Sequence, residues 1–342
     1  MDAVRIYYGL DEVPPDLGPT VLTIGNFDGV HRGHQHVLAQ LNQTARRRGA
    51  AAVALTFDPH PALVHRPESA PQLLTGLGEK LDRLRSSGVD AAVVLNYTPE
   101  LAGHTAEDFI RRYFVEALNP VAVVIGHDVR FGRHNQGDFS TMVGLGKAYG
   151  FEVIGVDDFP VESQTGSGVG TGAPRRCSST AIRAGLQQGD VAAAAGMLGR
   201  AHAVVGEVVH GEARGRELGF PTANLSQEAE GMVPADGVYA GWVTDAHHHR
   251  WPAAISVGSN PTFDGLMRVV EAHILDRADE QVEDFDLYGQ RLRVEFVDRL
   301  RGMVAYEGVE KLVEQMHKDV EDTRRVLAAS GRATPVSALR AE

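Results

Sequence analysis

"TVLTIGNFDGVHRGH", residues 20–34, joins an apolar run to a turn carrying three glycines, one acid and two histidines. The run 20–24 is apolar almost throughout rather than at every second position, the pattern of a strand covered on both faces. Gly25 ends it. Gly29 and Gly33 allow the backbone to approach a ligand closely. His31 and His34 are three apart and share a face if a helix starts here. Taken alone, the stretch admits three readings. It is a metal clip with His36, a bare structural turn, or a phosphate site in which imidazoles and the free N–H groups of a helix start receive an anion. The metal reading lacks a cysteine or acid at zinc-ligand spacing.

Outward from this stretch the pattern repeats. "AAVALTF" (51–57), "AAVVLNY" (91–97), "VAVVIG" (121–126) and "FEVIGV" (151–156) are further continuous apolar runs. Helix-like stretches fill 34–48, 77–87, 105–118 and 139–149, the third opened by Thr105 with Glu107 and Asp108 in its first turn. Strand and helix alternating at roughly 30-residue spacing predict an α/β domain with a parallel sheet. Ligands on such sheets gather at the carboxyl ends of the strands, where the opening motif lies.

The segment 161–174, "VESQTGSGVGTGAP", has no apolar period and reads as a mobile loop. A helix-like run continues from there to about Gly199, where the domain boundary is expected: 1–199 and 200–342. Beyond it the period changes. "HAVVGEVVH", "GVYAGWVT", "PAAISVG", "RVVEAHIL" and "LRVEFVD" are short strands parted by Gly, Pro and Asp turns, predicting an antiparallel barrel or sandwich. After about residue 306, apolar residues at 309, 312, 313, 316, 320, 326 and 327 predict a terminal helix, and the last dozen residues read as frayed. His247 to His249 read as a solvated hairpin tip, with an adventitious metal patch as the alternative.

The chain has 342 residues, room for two domains. A net charge of −12 argues against general nucleic-acid binding but permits a small anionic ligand in a local positive field. Cys177 is the one cysteine, which excludes an intrachain disulfide and fits a reducing compartment. The N-terminus has no basic stretch followed by an apolar one, and no apolar run approaches the roughly 18 residues of a membrane span. The expectation is a soluble cytoplasmic protein without membrane or nucleic-acid partners, monomeric or weakly self-associating.

Four other stretches carry chemistry. "TFDPHP" (56–61) ends the second apolar run with Asp58 and His60 beside two prolines. "CSSTAIR" (177–183) puts Ser178, Ser179 and Thr180 at a helix start, with Arg183 four residues after Ser179; hydroxyls, N–H groups and a guanidinium make an anion site. In "GFPTANL" (219–225), Thr222 and Asn224 face the same way along an extended segment, and their oxygens suit Mg²⁺. Glu271, in "RVVEAHIL", shares its strand face with Val269 and His273 and is a candidate general base for a hydroxyl.

Taken in order, these motifs resemble the prokaryotic bifunctional riboflavin kinase/FAD synthetase family. "GNFDGVHRGH" looks like the HxGH signature of nucleotidylyltransferases and "SSTAIR" like their second phosphate-binding signature, with "FDPHP" between them. "GFPTANL", "PADGVYAG", "SVGSNPTF", "VEAHILD" and "LYGQRLRVEFVDRLR" resemble the flavokinase module. The resemblance implies a Rossmann-like N-terminal domain that adenylylates FMN with ATP, giving FAD and pyrophosphate, and a C-terminal barrel that phosphorylates riboflavin. It implies ATP contacts by Gly25, Phe27, Asp28, Gly29, Ser179, Thr180, Arg183, Gly219, Thr222 and Asn224, and catalytic roles for His31, His34 and Glu271. It implies flavin contacts by Asp58, His60 and Asp128, and Mg²⁺ ligands in Thr222, Asn224 and Asp128. Two positions depart from the family pattern: Val129 in "GHDVRFG" replaces an aromatic residue, and Ala213 in "HGEARGRELG" stands where glycine is usual.

Overall fold

The computed structural model describes residues 4–161, 175–211, 218–262, 265–276, 287–304, 306 and 308–330. The loop reading of 162–174, the position of Ala213 and the frayed terminus lie outside the described residues. By contact the chain parts into two compact units between Ser179 and Thr180.

The first unit is built on a parallel sheet of β1 (Arg5–Tyr8), β2 (Thr20–Ile24), β3 (Ala51–Asp58), β4 (Ala91–Asn96), β5 (Pro120–Gly126) and β6 (Glu152–Val156). Its order is β1-β4-β3-β2-β5-β6. The chain winds one way from β2 through β3 to β4 and the other way through β5 and β6, so the order reverses between β2 and β5. Six helices join the strands: α1 (Arg32–Arg48), α2 (Pro61–His65), α3 (Leu77–Ser86), α4 (Pro99–Ala102), α5 (Ala106–Ile110) and α6 (Phe139–Tyr149). The continuous apolar runs have a plain cause. Val21, Ala52, Ala54, Val94 and Val124 face Leu38 and Leu41 of α1 and Leu81 and Leu84 of α3. The alternate residues Leu22, Val53, Leu55, Val93 and Ile125 face Phe109, Phe114 and Met142.

Two elements differ from expectation. β1 has no counterpart in the apolar pattern: it has four residues, sits at the sheet edge and pairs with β4. The helix expected over 105–118 is α5 followed by a π-helical turn at Arg111–Glu116. The wider turn brings Phe109 and Phe114, five apart and both buried, to 5.8 Å between ring centroids.

Short strands β7 (Pro160–Val161) and β8 (Arg175–Arg176) pair with each other, and α7 (Ser179–Gln188) and α8 (Val191–Leu198) come next. The expected boundary near Gly199 marks where the second sheet begins, but the compact units part before α7 is complete. Ala235 N–H donates to the Leu186 carbonyl at 2.9 Å and Arg299 to that of Gln188 at 3.3 Å, tying α7 to the second unit. The barrel comprises β9 (His202–Val209), β10 (Ala223–Leu225), β11 (Gly237–Thr244), β12 (Arg250–Thr262), β13 (Gly265–Ile274) and β14 (Arg291–Arg301), closed in the order β10-β13-β12-β11-β14-β9. Closure leaves no sheet edge to protect. His247–His249 form an exposed turn between β11 and β12, with Asp245 accepting the N–H groups of His247 and His249. The terminal helix α9 (Val309–Ser330) buries Leu327 as its stripe predicts, but also Asp319, whose carboxylate receives Arg301 at 2.9 and 2.6 Å. No helix among the described residues is long and apolar enough to cross a membrane.

Candidate functional sites

A cavity of about 460 Å³ opens at the carboxyl ends of β2 and β5, where the strand order reverses. Gly25, Phe27, His31, Gly33, His34, Asp128, Ser178 and Ser179 line it. The turn between β2 and α1 is held in an uncommon backbone: Phe27, Gly29 and Val30 all have positive φ, at 49°, 81° and 38°. For a β-branched residue such as Val30 this is strained, by about 1–3 kcal/mol. What holds it is Asp28, nearly fully buried, whose Oδ1 accepts the N–H groups of Leu74 at 2.8 Å and Thr75 at 3.3 Å. Thr75 Oγ1 in turn accepts Gly29 N–H at 3.2 Å, and Ser179 Oγ donates to the Asp28 carbonyl at 3.0 Å.

His31 is the N-cap of α1, its Nδ1 accepting His34 N–H at 3.3 Å. The Cys177 sulfur lies 3.5 Å from the same nitrogen. A ring that accepts at Nδ1 carries its neutral proton at Nε2. His34 stacks on His31 with centroids 3.7 Å apart, and Phe27 meets it edge-on at 5.2 Å. Burial, and after it the neighbouring His31, holds the His34 imidazole well below its ordinary value of 6.5, so it is neutral at pH 7. Burial pushes the Cys177 thiol up, against the pull of the Gly33 and Arg32 N–H groups. The paired rings sit beside the N-terminus of α1, a setting that suits an anion; among the described residues no group of three or more histidines, cysteines and acids is placed to hold a metal.

The remainder of the wall is apolar and aromatic: Phe57, Tyr97, Phe109 and Phe131 all line the cavity, with Phe57 and Tyr97 edge-to-face at 5.3 Å. Val129 is in the wall too, so the missing aromatic residue there leaves a cavity still rich in rings from β3, α5 and the loops.

In the second unit, Asn224 on β10 pairs directly with Glu271 on β13, and Ser256 on β12 flanks Glu271 on its other side. Val270, Ala272 and Ile274 are buried in the barrel while Val269, Glu271 and His273 take the opposite, partly exposed face. Asn224 Nδ2 lies 3.4 Å from both the carbonyl and Oγ1 of Thr222. Gly211 passes so close that a Cβ there would sit 2.6 Å from the Asn224 amide. His273 Nδ1 bonds the Pro221 carbonyl at 2.9 Å, and Phe220 stands edge-on to both His273 and His317 of α9. A hydroxyl, an amide oxygen and a carboxylate thus meet on one face of three strands.

Residues 13–168 match the FAD synthetase family, and residues 198–327 match the riboflavin kinase family. The bifunctional riboflavin kinase/FMN adenylyltransferase of Escherichia coli K12 is 34% identical over 319 residues, covering 93% of this chain and 96% of that protein. The chain belongs to this bifunctional family. The Pseudomonas fluorescens member is 33% identical over 328 residues, covering 96% of this chain and 99% of its own. A crystal structure described as a macrolide-efflux protein from Streptococcus pneumoniae superposes with a TM-score of 0.79 at 31% identity, over 94% of this chain and 99% of that one.

Set against the residues the family resemblance singled out, the structure gathers some and not others. His31, His34, Gly25, Phe27, Asp128 and Ser179 share the cavity. Asp28 and Gly29 lie behind its wall as supports of the turn. Among the described lining residues, Phe57 and Pro61 stand where Asp58 and His60 were expected. Asp58 is exposed at the end of β3, and His60 caps α2 by accepting Ala62 N–H at 3.1 Å. Thr180 and Arg183 come after Ser179 in α7, within the second compact unit. Asp128 already faces a cation: Arg176 of β8 pairs with it and, through Nε at 3.2 Å, with Asp158. Sequence reasoning missed Thr75, Arg176, Tyr97 and Thr23; the first three have no local signature, being brought in from the segment before α3, from β8 and from the end of β4.

Proposed function

We propose that the chain makes FAD from riboflavin in two steps. Its barrel transfers the γ-phosphoryl group of ATP to riboflavin. Its α/β domain then joins FMN to the AMP part of a second ATP and releases pyrophosphate. We assign the second step to residues 1–199 and the first to residues 200–342. One observation supports the reading: one compact unit holds stacked imidazoles beside an aromatic cavity, and the other holds a carboxylate paired across strands to an amide, two different settings for two different phosphate transfers.

In the barrel, Glu271 takes the proton of the ribityl 5′-hydroxyl as its oxygen attacks the γ-phosphorus and ADP leaves. The oxygens of Thr222 and Asn224 are hard donors of the kind Mg²⁺ takes together with ATP phosphates, and they would hold the ion, which supplies charge neutralisation. Gly219 lies in the turn that leads into this segment, with φ at 83°. In the α/β domain, an FMN phosphate oxygen attacks the α-phosphorus and the bond to pyrophosphate breaks. His31 and His34 donate Nε2–H to the oxygens on which charge builds, and no covalent intermediate is needed. Ser179, Thr180 and Arg183, at the start of α7, hold the departing phosphates. The ring-lined wall suits a flat heterocycle.

A single time course from riboflavin and MgATP, following FMN and FAD, tests this. FMN should appear first and FAD after it. Glu271→Gln should stop FMN formation yet still convert supplied FMN to FAD; His31→Ala should stop at FMN. A folded wild-type protein that makes no FAD from FMN and ATP defeats the assignment of the α/β domain.

A further inference from the structure

Two polar atoms near the catalytic imidazoles are buried without a hydrogen-bond partner among the described residues: Thr23 Oγ1 and His34 Nδ1. Both residues line the same cavity. The geometry of β2 and α1 places them opposite one another. Along α1, His34, Leu38, Leu41 and Ala45 keep the spacing of one helical stripe, and the last three are buried in the cluster that also holds Val21. On β2, Val21 and Thr23 share a face, because side chains alternate. Thr23 is therefore the residue beyond Val21 toward the carboxyl end of the strand, as His34 is the turn beyond Leu38 toward the start of the helix. The helix runs back antiparallel to the strand in a strand–helix–strand unit, so these two ends coincide. Thr23 is 1% exposed, too deep to serve solvent.

We propose that Thr23 is a positioning residue for adenylyl transfer: its hydroxyl is linked to His34 Nδ1 through one bridging water that donates to that nitrogen, and this keeps the ring proton on Nε2. The need for such a partner comes from the chemistry. A neutral imidazole has one N–H, and it can serve the phosphate only if it is on the outward nitrogen. His31 has its tautomer set by capping α1 through Nδ1. His34 is also neutral, as its burial dictates, but its Nδ1 finds no backbone donor among the described residues. The sheet puts two hydroxyls on that side, Thr23 and Thr56; Thr56 already donates to the Asn26 carbonyl at 3.2 Å, which leaves Thr23. In the loaded site both rings then present Nε2–H, so neither orphaned atom remains. The inference rests on the reading of the α/β domain as an FMN adenylyltransferase.

The test uses the full chain with Thr23→Val, which removes the hydroxyl and keeps the branched shape, and Thr23→Ser, which restores it. In protein labelled with ¹⁵N-histidine, His34 of the wild type should show an unprotonated Nδ1 and a protonated Nε2; Thr23→Val should mix the tautomers and Thr23→Ser should restore the wild-type pattern. FAD formation from FMN and ATP should lose about 10- to 100-fold in kcat in Thr23→Val, somewhat less than the loss of a whole oxyanion donor. KM for ATP should stay within about twofold, since no substrate contact is removed. Riboflavin phosphorylation should be unchanged. An unaltered His34 tautomer, an unaltered kcat, or a loss borne by KM for ATP alone each overturns the proposal. The tautomer readout needs no activity, so a wild type that makes no FAD would count against the adenylyltransferase reading and leave the Thr23–His34 pairing judged by its own spectrum.

Discussion

Gly33→Ala separates catalysis from stability. Gly33 is the second residue of α1, and a Cβ there would sit 3.1 Å from both Cε1 and Nδ1 of His31 and 3.5 Å from the Cys177 carbonyl. Carbon atoms in favourable contact are about 3.5–4.0 Å apart, so the ring must give by a few tenths of an ångström. Its freedom to shift is limited by His34, stacked on it at 3.7 Å with the two planes 17° apart. The cap from His34 N–H to Nδ1 is already long at 3.3 Å and weakens with any displacement. Against this, alanine gains about 0.8–1.0 kcal/mol over glycine in a helix. The two effects are of similar size, so net stability should change by no more than about 1 kcal/mol, or roughly 2–4 °C in Tm. Catalysis has no such offset. A misplacement of about 1 Å can cost about 100-fold, so a few tenths should cost kcat for FAD formation about tenfold. The assay is steady-state conversion of FMN and ATP to FAD, resolved by chromatography, beside a thermal melt and the rate of riboflavin phosphorylation. The reasoning is refuted if Gly33→Ala forms FAD at the wild-type rate, or if lost activity comes with a collapsed melt.

Asp28→Ala should destabilise the first unit by roughly 2–5 kcal/mol, because it leaves the buried N–H groups of Leu74 and Thr75 without their acceptor; Asp28→Asn, which keeps an oxygen there, should cost less. Urea unfolding of the three proteins compares them, and equal midpoints would show that Asp28 does not hold the turn. The depressed His34 value has a sign that can be worked out. Below about 6.5 the unfolded chain takes up a proton that the folded one refuses, so stability is level above that pH and falls on acidification through it, by at most about 1.4 kcal/mol per pH unit until the folded ring also titrates. His34→Gln should flatten that slope between about pH 7.5 and 5.5 in the same unfolding assay; an identical slope in both proteins would mean His34 is not the group responsible.

Much of the architecture was legible because strands buried on both faces must be apolar at every position. Val21 and Leu22, or Val53 and Leu55 with Ala54 between them, point into different halves of the core, and the run shows it. The change to short strands between turn residues announced the barrel for a similar reason. β1 escaped because Arg5 and Tyr8 lie at an edge and are not pressed from both sides. The buried Asp319 escaped because its partner, Arg301, comes from another element. At the sites the limit was the same. "GNFDGVHRGH" marks a glycine-rich turn suited to an anion by its own residues, whereas its anchor is the distant Leu74–Thr75 backbone and its aromatic wall comes from other parts of the chain. Asp58 and His60 stood in a conspicuous motif yet do not line the cavity, since β3 and the cap of α2 point their neighbours Phe57 and Pro61 into it.

By itself the sequence determined the two domain classes, the order of the elements and the residue types suited to phosphate. These come from spacing along the chain, and a helix or strand converts spacing into a shared face over only a few residues. Tertiary structure decided which groups meet. Antiparallel register set Asn224 against Glu271, residues far apart along the chain on strands that are not consecutive. The reversal of strand order beside β2 opened the cavity, and the packing of α1 on β2 brought His34 and Thr23 into its wall. Such meetings depend on which surfaces are buried together, and that is a property of the whole fold rather than of any window of sequence.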